Sequence, residues 1–363
     1  MGQLDGRMAV ITGVLGGLGR AYALRFAAVG RYGVRADAIA PGRCTGPVEA
    51  TPAGRRPRPG CDRTWNPRST VPPARHRRDR VGRPQPVFPI RVSPARRCGR
   101  AVASEDVVYL TQALHRALQQ FPDGPMTVCG DRVRTTREVA DRVARLAGAF
   151  RGLGLKAGDR VGILALNSDR HHEFFFASWW MGAVASPVNV RWSPGEIGYA
   201  MADSGTEVLL VDDTFVPLVP RLRELCPGLR TLVYCGDGPT PEGMVGYEDL
   251  VAAAEPVPDV RRGGDEVGLL LYTGGTTGLP KGVMITHRSL MTSLFGSILA
   301  NRAVERGGVT LLTAPLFHIA AFLSWYSQAL IGGTLVFLPV FSAEGFLDAV
   351  ERHRVTTCIL VPV

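Results

Sequence analysis

Between Leu271 and Val283 the chain reads Leu-Tyr-Thr-Gly-Gly-Thr-Thr-Gly-Leu-Pro-Lys-Gly-Val, directly after the apolar run that begins at Val267. Glycines let successive backbone N–H groups converge on anionic oxygens, threonine hydroxyls add donors, and lysine adds a compact cation. Thr273, Gly274, Gly275, Thr276, Thr277, Gly278 and Lys281 are therefore candidate phosphate ligands. Lys281 stands out further because only it and Lys156, of 42 basic residues, are lysine. Arginine's planar fork does not replace an ammonium point charge in such a turn. The string is not a Walker A loop, which ends in Gly-Lys-Ser/Thr, whereas Lys281 lies between Pro280 and Gly282. A surface turn without a ligand is the bland alternative, and the length and order of the string weigh against it.

A second glycine loop lies near the start, where Gly13, Gly17 and Gly19 follow the short apolar strand Met8–Ile11 and precede a helical stretch from Ala21 to Ala28. Strand, glycine turn and helix are the context a pyrophosphate needs at a helix N-terminus. His318 sits in an apolar stretch, where a packed core histidine competes with a ligand-facing one. His171 and His172 are adjacent, and on a helix they point about 100° apart, which argues against shared metal ligation. No metal site is expected.

The elements that must position these groups are legible from Ser104 onward. Val107, Leu110, Leu114 and Leu118 mark one face of a helix, with Ser104 as its expected cap. Thr135-x-x-Glu138 and Ser193-x-x-Glu196 are capping boxes, the first opening a helix with Val139, Val143, Leu146 and Phe150 on one face. Arg160–Leu166 reads as a strand, and Asn167 is expected to cap the helix that carries Phe174–Trp180. Further strands are expected at Glu207–Val211 and near 231–235, 266–272, 308–314, 334–338 and 355–361. Strands alternating with helices predict an α/β fold with largely parallel sheets flanked by helices.

Composition divides the chain. Residues 1–103 hold 20 Lys and Arg against 5 Asp and Glu, whereas residues 104–363 hold 22 against 27, so the formal charge of +10 belongs to the N-terminal segment. Residues 51–103 contain 14 Arg and 10 Pro without apolar periodicity. Such a stretch buries too little surface to offset chain entropy, so a disordered linker over 46–103 is expected, with an Arg-rich nucleic-acid arm as its rival. The seven cysteines are scattered without a CxxC pair, which favours a reducing cytoplasm over a disulfide framework. Gly307–Ala343 carries no charge, but Pro315, His318, Gln328 and Pro339 divide it into pieces shorter than the ~20 residues a membrane span needs. A buried helix, a turn and a buried strand are expected there instead. The apolar run Met8–Gly19 is no better as a signal peptide, since four glycines interrupt it.

The string Leu271–Val283 closely resembles the phosphate-binding signature of the adenylate-forming superfamily, and specifically of its acyl-CoA synthetases. The resemblance covers about 104–363 and has further anchors in Gly158-Asp159-Arg160-Val161, Asn167-Ser168, Gly182-Ala183-Val184, Pro187-Val188-Asn189, Thr286-His287-Arg288-Ser289-Leu290 and Pro315-Leu316-Phe317-His318. Gly274 stands where many relatives have Ser. The resemblance implies a ligase that uses ATP, Mg2+ and coenzyme A to convert a carboxylic acid, here a medium- or long-chain fatty acid, to acyl-adenylate and then acyl-CoA. It implies that Thr273–Gly278 and Lys281 hold the β- and γ-phosphates and that His318 lines the acyl pocket. It also implies that the adenine-, ribose- and magnesium-binding segments and a small domain with a catalytic lysine would follow Val363. No catalytic residue is therefore located here, the chain alone is expected to be inactive, and strands central in the family are expected to become edges. Residues 1–45 resemble an internally deleted short-chain dehydrogenase/reductase without its Tyr-x-x-x-Lys pair, position 36 being Ala. This makes residues 1–45 a partial Rossmann-like βα unit ahead of the linker. An NAD(P) oxidoreductase, or a non-catalytic fragment with a basic nucleic-acid arm, remain the alternatives. No nucleic-acid partner is expected, and the oligomeric state is not legible.

Overall fold

The computed structural model describes residues 10–11, 108–274, 279–301 and 304–360. Of the readings made on residues 1–103, only Val10–Ile11 falls within these; Gly13, Gly17, Gly19, the dehydrogenase remnant and the linker lie outside the described residues.

In chain order, β1 (Val10–Ile11) is followed by α1 (Gln112–Gln120), β2 (Pro125–Cys129), β3 (Arg132–Thr135) and α2 (Thr136–Gly152). Next come β4 (Arg160–Leu164), α3 (Asp169–Trp180), β5 (Val184–Pro187), α4 (Pro194–Ser204) and β6 (Val208–Val211). Then follow α5 (Val219–Leu225), β7 (Thr231–Tyr234), β8 (Val245–Gly246), α6 (Tyr247–Ala253), β9 (Val267–Thr273) and β10 (Lys281–Thr286). The last are α7 (His287–Asn301), β11 (Gly308–Leu312), α8 (Ile319–Ile331), β12 (Gly333–Phe337), α9 (Ala343–His353) and β13 (Thr357–Leu360).

These strands form two sheets, ordered β1-β13-β11-β12-β2-β3 and β10-β9-β5-β4-β6-β7-β8. Every pairing is parallel except β2 with β3 and β9 with β10. The parallel strands β4 and β6 are almost wholly buried, which is why Val-Gly-Ile-Leu and Val-Leu-Leu-Val run apolar without alternation. Val10 and Ile11 pair in parallel with Ile359 and Leu360, so β13 has a neighbour on each side.

Helix α3 is buried on every face, and it touches β2 of one sheet and β4 and β5 of the other. A helix in that position has no solvent stripe, so its sequence shows little amphipathic period. Phe175, Phe176 and Trp179 meet Phe322, Trp325 and Tyr326 of α8 in a continuous aromatic cluster. The charged residues of α3 are buried too, and each has a partner. Asp169 takes Arg132 at 3.0 Å and also pairs with Arg134, while Glu173 takes Arg142 at 2.8 Å and the Tyr247 hydroxyl at 2.6 Å. Burial alone would raise the Asp169 carboxyl; the hydrogen bond and charge of Arg132, with Arg134 and Arg170, outweigh it and hold it below its ordinary value.

Both capping boxes form as expected, and Val139, Val143, Leu146 and Phe150 are fully buried. Two helix starts differ from expectation. Helix α1 begins at Gln112, after Leu110 rather than before it, and the Thr111 hydroxyl at its start donates to Asp259 at 2.5 Å instead of capping. Helix α3 is capped by Ser168, whose oxygen accepts from His171 N–H at 3.3 Å, and not by Asn167. The uncharged stretch from Gly307 resolves into β11, α8 and β12, and no helix among the described residues is long and apolar enough to cross a membrane.

Candidate functional site

The glycine–threonine string is the connection of an antiparallel hairpin. Strand β9 delivers Thr273 and β10 begins at Lys281, with Thr273 paired to Lys281 and Tyr272 to Gly282. Sequence reasoning anticipated β9 but not the return strand, because Lys281–Thr286 is largely exposed and lacks the apolar continuity of its neighbours. Thr273, Gly274 and Lys281 are all exposed at the mouth of the hairpin. The Thr273 hydroxyl reaches toward the Lys281 carbonyl at 3.4 Å, so the two arms close on each other at the level of the cation. Gly275, Thr276, Thr277 and Gly278 lie outside the described residues.

The base of the hairpin is tied to α4. The Tyr272 hydroxyl donates to Asp203 at 2.6 Å, and burial together with that carboxylate pushes the phenol well above its ordinary value. A Cβ on Gly282 would come within 3.0 Å of the Tyr272 ring, so glycine is what allows this close approach across the pair. Behind β10, His287 opens α7, and its Nδ1 accepts the Leu110 N–H at 3.1 Å. Burial, then the nearby Arg262 cation, depress that imidazole to about 4, which keeps it a neutral acceptor.

Because β5 and β9 run parallel, the turn after β5 and the loop after β9 leave the sheet at the same end. In open α/β sheets this carboxyl end is where ligands bind. The β5 turn, Asn189–Ser193, is stiffened by Asn189, whose side chain accepts from Arg191 N–H at 3.0 Å and whose carbonyl accepts from Trp192 N–H at 3.2 Å.

His318 reaches this end of the molecule from the other sheet, its segment tied to the β4 exit by one side chain. Asn167, at the exit of β4, donates to the Ala314 carbonyl at 2.8 Å and accepts from Leu316 N–H at 2.9 Å. Asn167 thus holds the Pro315–His318 segment, which is why it does not cap α3. His318 is the exposed N-cap residue of α8, its ring centroid 4.5 Å from that of Phe317. Partial desolvation, then the Arg191 cation, hold its imidazole below its ordinary value. His171 and His172 face different neighbours: His171 lies against Phe174 and Phe175, while His172 accepts the Trp325 indole N–H at 3.0 Å. Among the described residues no group of three or more His, Cys, Asp or Glu is placed to hold a metal.

Three groups thus come to one end of the fold: the hairpin mouth with Lys281, the Asn189–Ser193 turn, and His318. Sequence reasoning named residues of the first and the last as candidates. It missed Trp192, Tyr272 with Asp203, and the tie made by Asn167; the one available signal was Ser168, a good cap directly after Asn167, which left the asparagine free for other work.

Comparison with known proteins gives the following. The model of a family described as AMP-binding enzyme matches residues 114–363. A long-chain-fatty-acid–CoA ligase of Thermus thermophilus is 39% identical over 237 residues, covering 64% of this chain and 43% of the ligase. A feruloyl-CoA synthase of an Amycolatopsis species is 36% identical over 248 residues, covering 68% of this chain and 47% of the synthase. The crystal structure of the anthranilate CoA ligase AuaEII in complex with anthranoyl-AMP superposes with a TM-score of 0.65 at 26% identity, covering 69% of this chain and 49% of that one. The chain spans about half the length of the curated relatives it matches.

Proposed function

Since this chain belongs to the AMP-binding enzyme family, we propose that it supplies the polyphosphate-binding part of an acid–CoA ligase. The observation that carries the reading is the hairpin that sets Lys281 opposite Thr273 across the Gly/Thr connection. In the proposed first step a carboxylate oxygen of the acid attacks the α-phosphorus of ATP. The P–O bond to the β-phosphate breaks, pyrophosphate leaves, and acyl-adenylate remains. In the second, the sulfur of coenzyme A, losing its proton, attacks the acyl carbon and AMP departs. Thr273, Gly274, Gly275, Thr276, Thr277, Gly278 and Lys281 hold the β- and γ-phosphates. A fixed cation there gains most where charge grows on the departing pyrophosphate. Mg2+ would travel with the nucleotide's phosphates, and when bound it supplies further charge neutralisation.

The acid we propose is a medium- or long-chain fatty acid, with His318 beside its chain. The Thermus relative supports a fatty acid; the feruloyl relative makes an aromatic acid the competitor. We place the reaction in the cytoplasm, in keeping with Cys129, Cys226, Cys235 and Cys358 being buried free thiols.

The test is acid-dependent ATP–pyrophosphate exchange by the chain joined to the second half of the Thermus ligase. Exchange that requires the acid and falls about 100-fold in Lys281→Ala is the expected outcome, the scale of losing one preorganised electrostatic donor. Exchange unchanged in Lys281→Ala would remove the hairpin from the reaction. Octanoate and palmitate compared with ferulate decide the acid class.

A further inference from the structure

The exits of β4 and β6 are joined by a carboxylate. These strands are parallel neighbours, with Leu164 opposite Val211, so the segments after them leave the sheet side by side. Asp212 follows β6 directly. Its Oδ2 accepts the Leu166 N–H of the β4 exit at 2.7 Å, and its Oδ1 accepts the N–H of Thr214 in its own turn at 3.0 Å. The Asp212 main-chain carbonyl accepts from Phe215 and Val216 at 3.1 and 3.2 Å, which fixes the turn from which the carboxylate reaches across. Asp213 extends the line the other way, accepting the Asp237 N–H at 2.8 Å and the Tyr234 hydroxyl at the end of β7.

Leu166 immediately precedes Asn167, whose amide crosses to the other sheet and holds the Ala314 carbonyl and the Leu316 N–H. Within that segment the His318 N–H donates to the Pro315 carbonyl at 3.0 Å, so the placement of Ala314–Leu316 is handed on to the histidine. A continuous series of hydrogen bonds therefore runs from the β6 exit, through the β4 exit, to the start of α8. A carboxylate suits its first link, because it offers one oxygen to each of two N–H groups that face it from different strand exits. An amide has a single oxygen and would turn its NH2 toward one of them.

We propose that Asp212 is a positioning residue, setting the place of His318 relative to the β5 and β9 exits through Leu166 and Asn167. The inference rests on the acid–CoA ligase reading above and adds to it the group that fixes one wall of the acid site. An acid whose carboxylate reacts beside the nucleotide, and whose chain lies along His318, touches both sheets at once. The separation of those two contacts is what the series from Asp212 to Asn167 holds. A small displacement there is felt by the acid and not by the nucleotide, which lies against the second sheet alone.

The experiment follows the His318 imidazole through pH by NMR in the full chain, with His318→Gln assigning the resonance. Partial desolvation, then the Arg191 cation of the β5 exit, hold this imidazole below 6.5, so its titration reports where it sits relative to the second sheet. Asp212→Asn keeps the local turn, since an asparagine side chain also accepts the Thr214 N–H, and loses the bond to Leu166. It should move the His318 titration back toward 6.5, and Asn167→Ala should do the same. The double variant should move it no further than Asn167→Ala alone, because both act through one series. Thr135→Ala, which weakens the start of α2 and leaves the series intact, should not move it. In the chain joined to the second half of the Thermus ligase, Asp212→Asn should raise the KM for palmitate about 10-fold, the scale of one lost hydrogen bond, with the KM for ATP unchanged. A His318 titration unmoved by Asp212→Asn, or shifts of the two variants that add, overturns the role of Asp212. Equal rises in both KM values also overturn it, since they mark a general loss of structure. No exchange by the unsubstituted fusion overturns the ligase reading instead, and the NMR outcome still decides whether Asp212 places His318.

Discussion

Lys281 and Asn167 act at the residue scale in opposite ways, one through exposed charge and the other through buried hydrogen bonds. Lys281→Arg keeps the charge but replaces a compact ammonium with a planar fork, so in the exchange assay it should restore only part of what Lys281→Ala loses. Asn167 is 5% exposed, and both ends of its amide are engaged with the backbone at Ala314 and Leu316. Asn167→Ala leaves the buried Leu316 N–H and the part-buried Ala314 carbonyl without that partner. The expected cost is about 1–3 kcal/mol in urea unfolding. Hydrogen exchange at Leu316–His318 should speed up more than in α2, because the lost contacts are local. Uniform change across both regions would mean that Asn167 does not specifically hold the His318 segment.

At the scale of elements, the helix starts do much of the positioning. The box at Thr135 joins β3 directly to α2, with the Thr135 oxygen accepting from Glu138 N–H at 3.2 Å and Glu138 accepting from Thr135 N–H at 2.7 Å. The hydrogen bonds to Thr135 hold the Glu138 carboxyl below its ordinary value, as expected for a capping carboxylate. Thr135→Ala should cost about 1 kcal/mol in urea unfolding, and Thr135→Ser should cost little, since it keeps the acceptor. Equal losses in the two variants would place the effect in packing of the Thr135 methyl. The box at Ser193 likewise opens α4, directly after Trp192.

On the scale of the whole molecule, the core between the sheets contains three imidazoles that burial keeps neutral. His171 and His287 are depressed to about 4 and His172 to about 3, from an ordinary 6.5. The unfolded chain therefore binds protons between pH 6.5 and these values while the folded chain does not. Stability from this source is complete above pH 6.5 and is lost progressively as pH falls toward 4 and 3. Each histidine should cost about 2 kcal/mol between pH 7.5 and 5. Urea midpoints measured across that window should fall steeply, and His171→Leu should reduce the slope by roughly a third. A slope unchanged in His171→Leu would assign the acid sensitivity to other groups.

Sequence alone determined the glycine–threonine string, the two capping boxes and the alternation of strands with helices, because each depends on neighbours within a few residues. Apolar runs also placed β4, β6, β7 and β9, since a strand covered on both faces must be apolar throughout. Tertiary structure alone decided what depends on partners far along the chain. Asn167 has the composition of a cap, but the Ala314 carbonyl and Leu316 N–H, nearly 150 residues away, claim its amide. Thr111 likewise donates to Asp259 rather than accepting from an N–H of its own helix. Strand β10 is exposed and reads as loop until β9 pairs with it. Trp192 carries no local signal of its neighbour; only parallel pairing of β5 with β9 brings its indole to Gly274. Local hydrogen bonds and periodicity are written in consecutive residues, whereas the competition of distant groups for the same polar side chain is settled only when the sheets assemble.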